Sequence, residues 1–295
     1  MSSPELTLPS SSDWTDYELL DSGNGRKLER FGPYIFIRPE HQAIWKPGLP
    51  DEKWRSARAI FQPAGGDEMG GNWKSSQPLD PWEMGYKGLK FRAQLGGSRH
   101  VGVFPEQAVH WDWMAKLIRD RNRPTFVLNL FGYTGLATLA VAQAGASVTH
   151  VDASKKSVTR ARENQVLSRL EDRPIRWIVD DVIKFVQREA RRQVHYDGLI
   201  LDPPKFGRGP KGEVWECFDM LPGLLQSCRE ILSDQPLFIV ITAYAIRASA
   251  LSLFYSLEEM MRGVKGTIEA GELVAEERSA GRKLSMAIYA RWRGV

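Results

Sequence analysis

The chain carries little that would tie it to a membrane, a disulfide framework or a metal. None of its apolar runs approaches the ~18–20 residues a helix needs to cross a bilayer. Its opening, MSSPELTLPSSSDWTDYE, is polar and partly acidic, without the basic and apolar segments of a secretory leader. Neither end bears a lipidation signal. The expectation is a cytoplasmic protein with no membrane partner. Cysteine is scarce: Cys217 and Cys228 are too few for a framework, and their spacing suits no zinc site. The histidines, His41, His100, His110, His150 and His195, are scattered without an i,i+4 pair, so no metal is expected. Repeats are absent too. What remains is an ordinary globular composition, 42% hydrophobic and 26% charged in 295 residues, which excludes a disordered chain, a collagen and a coiled coil.

Charge is unevenly spread. Residues 1–113 hold 13 Lys+Arg against 15 Asp+Glu, net −2, so the remainder holds 27 against 21, net +6. That surplus is compatible with a polyanionic partner and does not demand one. Texture changes along the chain as well. Seven of the ten tryptophans precede residue 114, among Gly- and Pro-broken stretches such as KPGLPDE and QPAGGDEMGG. The strand-like pieces there are short, which predicts a small β-rich domain over residues 1–98, its first residues loose. The tryptophans are either core or a surface that stacks bases, and exposure decides between the two.

Residues 99–295 are expected to form a second domain with a regular α/β pattern. TFVLNL (125–130), ASVTHVD (146–152), IRWIV (175–179), YDGLILD (196–202) and PLFIVITAY (236–244) read as strands. Helical spacing fills 134–145, 154–170, 181–193, 215–232 and a stretch near 248–262, with Ser154 as an N-cap. GTIEAGELV and KLSMAIYARW follow as a final hairpin whose last strand is antiparallel. Strand–helix alternation with short links predicts a Rossmann-like, mostly parallel sheet of seven strands.

Ligands of such sheets sit at the carboxyl ends of the strands, at the switch point. The first strand runs through Asn129 into Phe131-Gly132-Tyr133-Thr134-Gly135. This turn has two glycines where a dinucleotide fold has G-x-G-x-x-G, so it lacks a pyrophosphate cradle, which disfavours a nicotinamide oxidoreductase. It suits a ligand that needs close backbone approach but carries no phosphate, such as S-adenosylmethionine. Asp152, with Ala153 beside it, ends the second strand, where a carboxylate can accept both ribose hydroxyls. Asp180-Asp181 ends the third; a carboxylate there can take the adenine amino group, and the Val182 N–H a ring nitrogen. For each acid alone a solvated side chain or a helix cap is the commoner explanation; the signal lies in three strand ends in register. The fourth strand ends Asp202-Pro203-Pro204-Lys205-Phe206. The prolines stiffen the turn, an ionised Asp accepts hydrogen bonds only, and Phe206 offers a flat face for a base. Lys205 reads as a phosphate contact or a solvated lysine.

Together Asn129–Gly135, Asp152, Asp181 and Asp202–Phe206 resemble the class I S-adenosylmethionine-dependent methyltransferases, and more narrowly the bacterial 23S ribosomal-RNA large-subunit methyltransferases I and K with their short-form relatives. That family shows N-[LC]-F-x-Y-T-G and D-P-P-[KST]-F, both present in full. Gly102-Val103-Phe104-Pro105-Glu106-Gln107 resembles the segment that folds over the cofactor, departing from T-G-x-F-L-D-Q-R at Pro105, Glu106 and Ala108. The resemblance implies S-adenosylmethionine as cofactor and Phe104 and Gln107 as its neighbours. It makes RNA, ribosomal RNA above all, the expected partner. No counterpart of those enzymes' separate N-terminal RNA-binding domain is expected in these residues, and oligomeric state stays open.

Carbon-5 methylation of cytosine needs a thiolate that adds to the ring. Family members with that activity carry a cysteine near the end of the fifth strand. Here that strand ends Ile241-Thr242-Ala243-Tyr244, so a base nitrogen is the expected target. Tyr244 reads as a site wall or a core-edge aromatic, and GRGPKGEVW (207–215) as a flexible loop beside the site. Two alternatives share these residues: methylation of a protein side-chain nitrogen or a metabolite, and a non-catalytic, cofactor-bound RNA-binding factor.

Overall fold

The structure, a computed structural model, describes residues 4–64, 67–244 and 246–295. Contacts divide the chain into two units. One holds the described residues up to Pro9, Gln107–Leu273 and Met286–Val295; the other holds Ser10–Glu106 and Val274–Ser285.

The larger unit is organised by one sheet. Its strands are β1 (Phe126–Leu130), β2 (Ser147–Asp152), β3 (Ile175–Val179), β4 (Gly198–Leu201), β5 (Phe238–Ala243), β6 (Gly266–Glu276) and β7 (Lys283–Gly294). Their spatial order is β6-β7-β5-β4-β1-β2-β3, with Leu6–Thr7 added beyond β6. Strands β1 to β5 pair in parallel, and β7 runs antiparallel to β5, Phe238 opposite Arg293. The expected seven-stranded, mostly parallel sheet is therefore present. The eighth strand was not expected. A two-residue strand has no periodicity to betray it, and its place depends on Gly271, where a Cβ would lie 1.9 Å from the Thr7 carbonyl oxygen.

Helices α1 (Ala108–Asp120), α2 (Leu136–Gln143), α3 (Lys155–Leu167), α4 (Val182–Arg191), α5 (Cys217–Glu230) and α6 (Ala250–Met260) complete the unit. The central strands β4 and β5, and β1 from Val127 on, are buried on both faces, as a doubly covered parallel sheet requires, while the edge strand β3 is only partly buried. Leu128, Leu130, Leu199, Leu201, Ile239 and Ile241 share one core with Phe185, Leu224 and Leu257 of α4, α5 and α6. Helix starts are set by short polar side chains: Ser154, Asp181 and Ser249 each accept a backbone N–H of the first turn. Because the chain passes β1, β2, β3 and then crosses to β4 and β5, the switch point falls between β1 and β4.

The smaller unit is a five-stranded sheet, Tyr17–Gly23, Arg26–Phe31, Tyr34–Pro39, Ala59–Ala64 and Asp67–Ser75, beside a hairpin of Trp82–Tyr86 and Leu89–Ala93. Its tryptophans are core and partly buried struts rather than surface. Trp54 and Trp82 are buried, and the indole N–H groups of Trp14, Trp45 and Trp73 donate to the carbonyl oxygens of Pro105, Ser22 and Ser98. Tryptophan thus supplies apolar bulk together with one polar handle.

Candidate functional site

The carboxyl ends of β1, β2, β3 and β4 converge on a single rim. After β1 the backbone turns through left-handed conformations at Phe131, Tyr133 and Gly135, with φ of 58°, 48° and 84°. The turn closes on itself and on β2: Gly132 N–H donates to Val151 O at 3.1 Å and Gly135 N–H to Gly132 O at 3.0 Å. Both glycines are dictated by packing. A Cβ on Gly132 would lie 2.3 Å from the His150 ring, and one on Gly135 2.7 Å from Ala161 Cβ. Asn164 of α3 donates to the buried Thr134 carbonyl, which pins the loop from below. Asn129 stands apart from its neighbours. It is 1% exposed and its amide donates to Thr138 of α2 at 2.9 Å, which in turn shares a hydrogen bond with His150 Nδ1. Its side chain therefore braces the strand against the helix.

Asp152 lies beside this turn with both oxygens engaged. Tyr133 N–H donates to Oδ2 at 2.9 Å and Ser154 N–H to Oδ1 at 2.8 Å. Burial raises its pKa above the usual carboxylate value, and the two backbone donors oppose that. The carboxylate is fixed in orientation, and each oxygen keeps a lone pair for a hydroxyl. Ala153 lies half-buried next to it. At the end of β3, Asp180 accepts from Arg188 at 2.6 Å, whereas Asp181 caps α4 through one oxygen, accepting Lys184 N–H at 3.0 Å. The first N–H groups of a helix have no intrahelical partner, so Val182 N–H and the second Asp181 oxygen make a donor and acceptor pair of the kind an adenine edge needs. These groups fit the adenosine part of S-adenosylmethionine, and nothing in the turn imitates a phosphate cradle.

Asp202 sits across the switch point. Its N–H donates to Leu130 O at 3.5 Å, coupling the ends of β4 and β1. Its Oδ2 accepts from Gln107 Nε2 at 3.3 Å, and Gln107 Oε1 accepts from the Thr242 hydroxyl at 3.4 Å. Gln107 and Asp202, expected near the cofactor, are thus brought together, and Thr242, which sequence reasoning missed, completes the chain. A carboxylate cannot face the amide oxygen, so Asp202 sets the Gln107 amide and Thr242 must donate to it. Phe104 counts with the smaller unit, where its ring lies 4.6 Å from that of His100.

Pro203 is buried, while Pro204, Lys205 and Phe206 are exposed. The segment expected as a flexible loop is a short hairpin instead, Phe206–Arg208 paired with Val214–Glu216. Its anchor is Trp215, which is buried, donates to Pro204 O at 2.7 Å and packs 4.8 Å from the Phe131 ring. Lys184 and Glu213 pair at 2.5 Å and tie the hairpin to α4. Tyr244 packs at the edge of a cluster of Leu273, Ala287 and Tyr289. Cys217 and Cys228 are buried in the main core, and burial pushes both thiols up, away from the thiolate. Among the described residues no group of His, Cys, Asp or Glu could hold a metal, and no helix is long and apolar enough to cross a membrane.

Comparison with known proteins gives a consistent set of relatives. Residues 52–259 match the family described as S-adenosylmethionine-dependent methyltransferase. A crystal structure of an S-adenosylmethionine-dependent methyltransferase from Agrobacterium tumefaciens is 49% identical and superimposes with a TM-score of 0.93, covering 99% of this chain and 96% of that one. Ribosomal RNA large subunit methyltransferase I of Shewanella denitrificans is 29% identical over 69% of this chain and 48% of its own length. Ribosomal RNA large subunit methyltransferase K/L of Shewanella frigidimarina is 32% identical over 47% of this chain and 20% of its own length. The chain therefore spans between a fifth and about half of these two curated relatives.

Proposed function

The chain belongs to the S-adenosylmethionine-dependent methyltransferase family, and from that premise we propose that it methylates a base nitrogen in RNA, ribosomal RNA above all. Its cofactor is S-adenosylmethionine, whose sulfonium supplies a methyl group already reactive toward a nitrogen lone pair. In this reading Asp152 accepts the ribose hydroxyls, Asp181 and the Val182 N–H read the adenine, and the turn Phe131–Gly135 with Ala153 walls the cofactor. Gln107 lies beside it, and the Asn129 side chain shapes the turn from behind.

The observation that carries the acceptor side is the fixed carboxylate of Asp202 at the switch point, held by Gln107 and Thr242. An ionised carboxylate accepts an N–H and so turns the nitrogen lone pair toward the methyl donor. The stiff Pro203-Pro204 backbone offers a carbonyl for a second N–H. Lys205 meets a phosphate and Phe206 stacks on the target base. The protein's contribution is alignment, which in well-oriented systems can supply most of the rate. Two buried, protonated thiols support a nitrogen rather than a cytosine carbon-5 target. The names of the Shewanella relatives support RNA, and RNA methylation in turn supports a cytoplasmic site of action.

Calorimetric titration with S-adenosylhomocysteine, beside NAD as a control, tests the cofactor side. Binding of the first and not the second is expected. Asp202→Ala should keep that affinity within about tenfold and lose at least about 100-fold in kcat, the range for a positioned acid–base group. Retained turnover in Asp202→Ala would remove the carboxylate from the chemistry.

A further inference from the structure

The hairpin that follows Asp202 has one face that the fold does not use. Phe206 lies opposite Glu216, Gly207 opposite Trp215 and Arg208 opposite Val214. The pairing continues one step inward, where Cys217 N–H donates to Lys205 O at 3.0 Å. Alternation therefore turns Trp215 into the core and leaves Phe206, Arg208, Val214 and Glu216 outside. Phe218, the second residue of α5, is exposed as well. Exposures of 52% for Phe206, 49% for Val214 and 56% for Phe218 put three large apolar side chains in one short segment. Single exposed apolar residues need no explanation, but a cluster joined to an acceptor motif marks an interaction surface.

The charge of the same segment says what it fits. Residues 205–211 carry Lys205, Arg208 and Lys211 and no carboxylate. Among the described residues these three side chains make no ion pair, because the neighbouring Glu213 is taken by Lys184. Flat aromatic faces interleaved with uncommitted cations complement exposed bases and phosphates. Base-paired stems hide the faces that such aromatics need.

We infer that this face is a docking platform for single-stranded RNA, holding the nucleotides next to the target base. The inference rests on the RNA reading above and extends it. Phe218 is a second stacking surface beyond Phe206, Arg208 and Lys211 face phosphates, and Glu216 is the acceptor for an exocyclic amino group.

The test measures binding of a short unstructured RNA oligomer and its duplex to wild type, Phe218→Ala, Phe218→Leu and Arg208→Gln, by fluorescence anisotropy over a range of salt. Methyl transfer to total RNA and S-adenosylhomocysteine titration accompany each variant. Phe218→Ala should weaken single-strand binding about 5- to 150-fold, the range of base stacking, and raise KM with kcat changed less than about twofold. Phe218→Leu keeps the bulk without the π face and should behave alike, which covers the case of an Ala variant that loses cofactor binding. Arg208→Gln should lower the salt slope by about 0.7. Wild type that methylates RNA, with variants binding the single strand as wild type does, would overturn the platform and leave the RNA reading standing. Wild type that labels protein and not RNA would overturn both.

Discussion

Asp152 shows how a single residue ties fold to ligand. Its carboxylate is held by the Tyr133 and Ser154 N–H groups while burial raises its pKa. If ribose hydroxyls are bound by the ionised form, S-adenosylhomocysteine affinity should fall on acidification, beginning at a higher pH than an ordinary Asp near 3.8 would give. Asp152→Ala should cost about 10- to 100-fold in that affinity, the worth of hydrogen bonds to a charged group. Calorimetry across pH checks both; an affinity unchanged in the variant would take Asp152 out of the site. Thr242 acts at one remove. Thr242→Val should lower kcat more than it lowers cofactor affinity, because it loosens the Gln107 amide that is hydrogen-bonded to Asp202, and Thr242→Ser should restore the rate. A rate unchanged in the valine variant would mean the Gln107 orientation is set by Asp202 alone.

At the scale of elements, the turn after β1 is the tightest piece. Gly132→Ala forces a methyl into the His150 ring at 2.3 Å, so it should destabilise by about 1–3 kcal/mol and disturb cofactor binding with it. Denaturant midpoints measure the first effect, and a variant as stable as wild type would contradict the packing argument. The strands that build this rim were legible because short apolar-rich runs, such as TFVLNL and YDGLILD, alternate with helical segments, and Ser154 was readable as a cap. Other features were not. Ala108–Asp120 mixes Trp, His and Lys closely enough to hide its helical stripe, although seven of its residues are buried. Phe206–Arg208 and Val214–Glu216 read as a loop because Gly207, Gly209, Pro210 and Gly212 crowd the segment, and only the buried Trp215 explains why it folds. The link from Thr242 through Gln107 to Asp202 joins positions 135 and 95 residues apart, and no local pattern carries such a contact.

For the whole molecule, buried histidines should contribute to acid lability. Burial lowers His150 from 6.5 to about 3, and His110 moves in the same direction. Between those values the unfolded chain binds a proton that the native chain excludes, so stability is full above pH 6.5 and falls as pH drops toward 3. The loss from His150 alone should be about 2 kcal/mol at about pH 5, read from unfolding midpoints. His150→Gln should show a shallower pH dependence, and an unchanged one would place the acid lability elsewhere. The same molecule carries its positive surplus in residues 114–295, with the acceptor motif and the hairpin. The function turns on what receives the methyl group. Tritium-labelled S-adenosylmethionine, incubated with the protein and total RNA from a strain lacking it, should place label in RNA. Digestion and mass analysis should then identify a nucleoside methylated on a base nitrogen. Label confined to protein or small molecules, or a carbon-5 methylcytidine, would contradict the account.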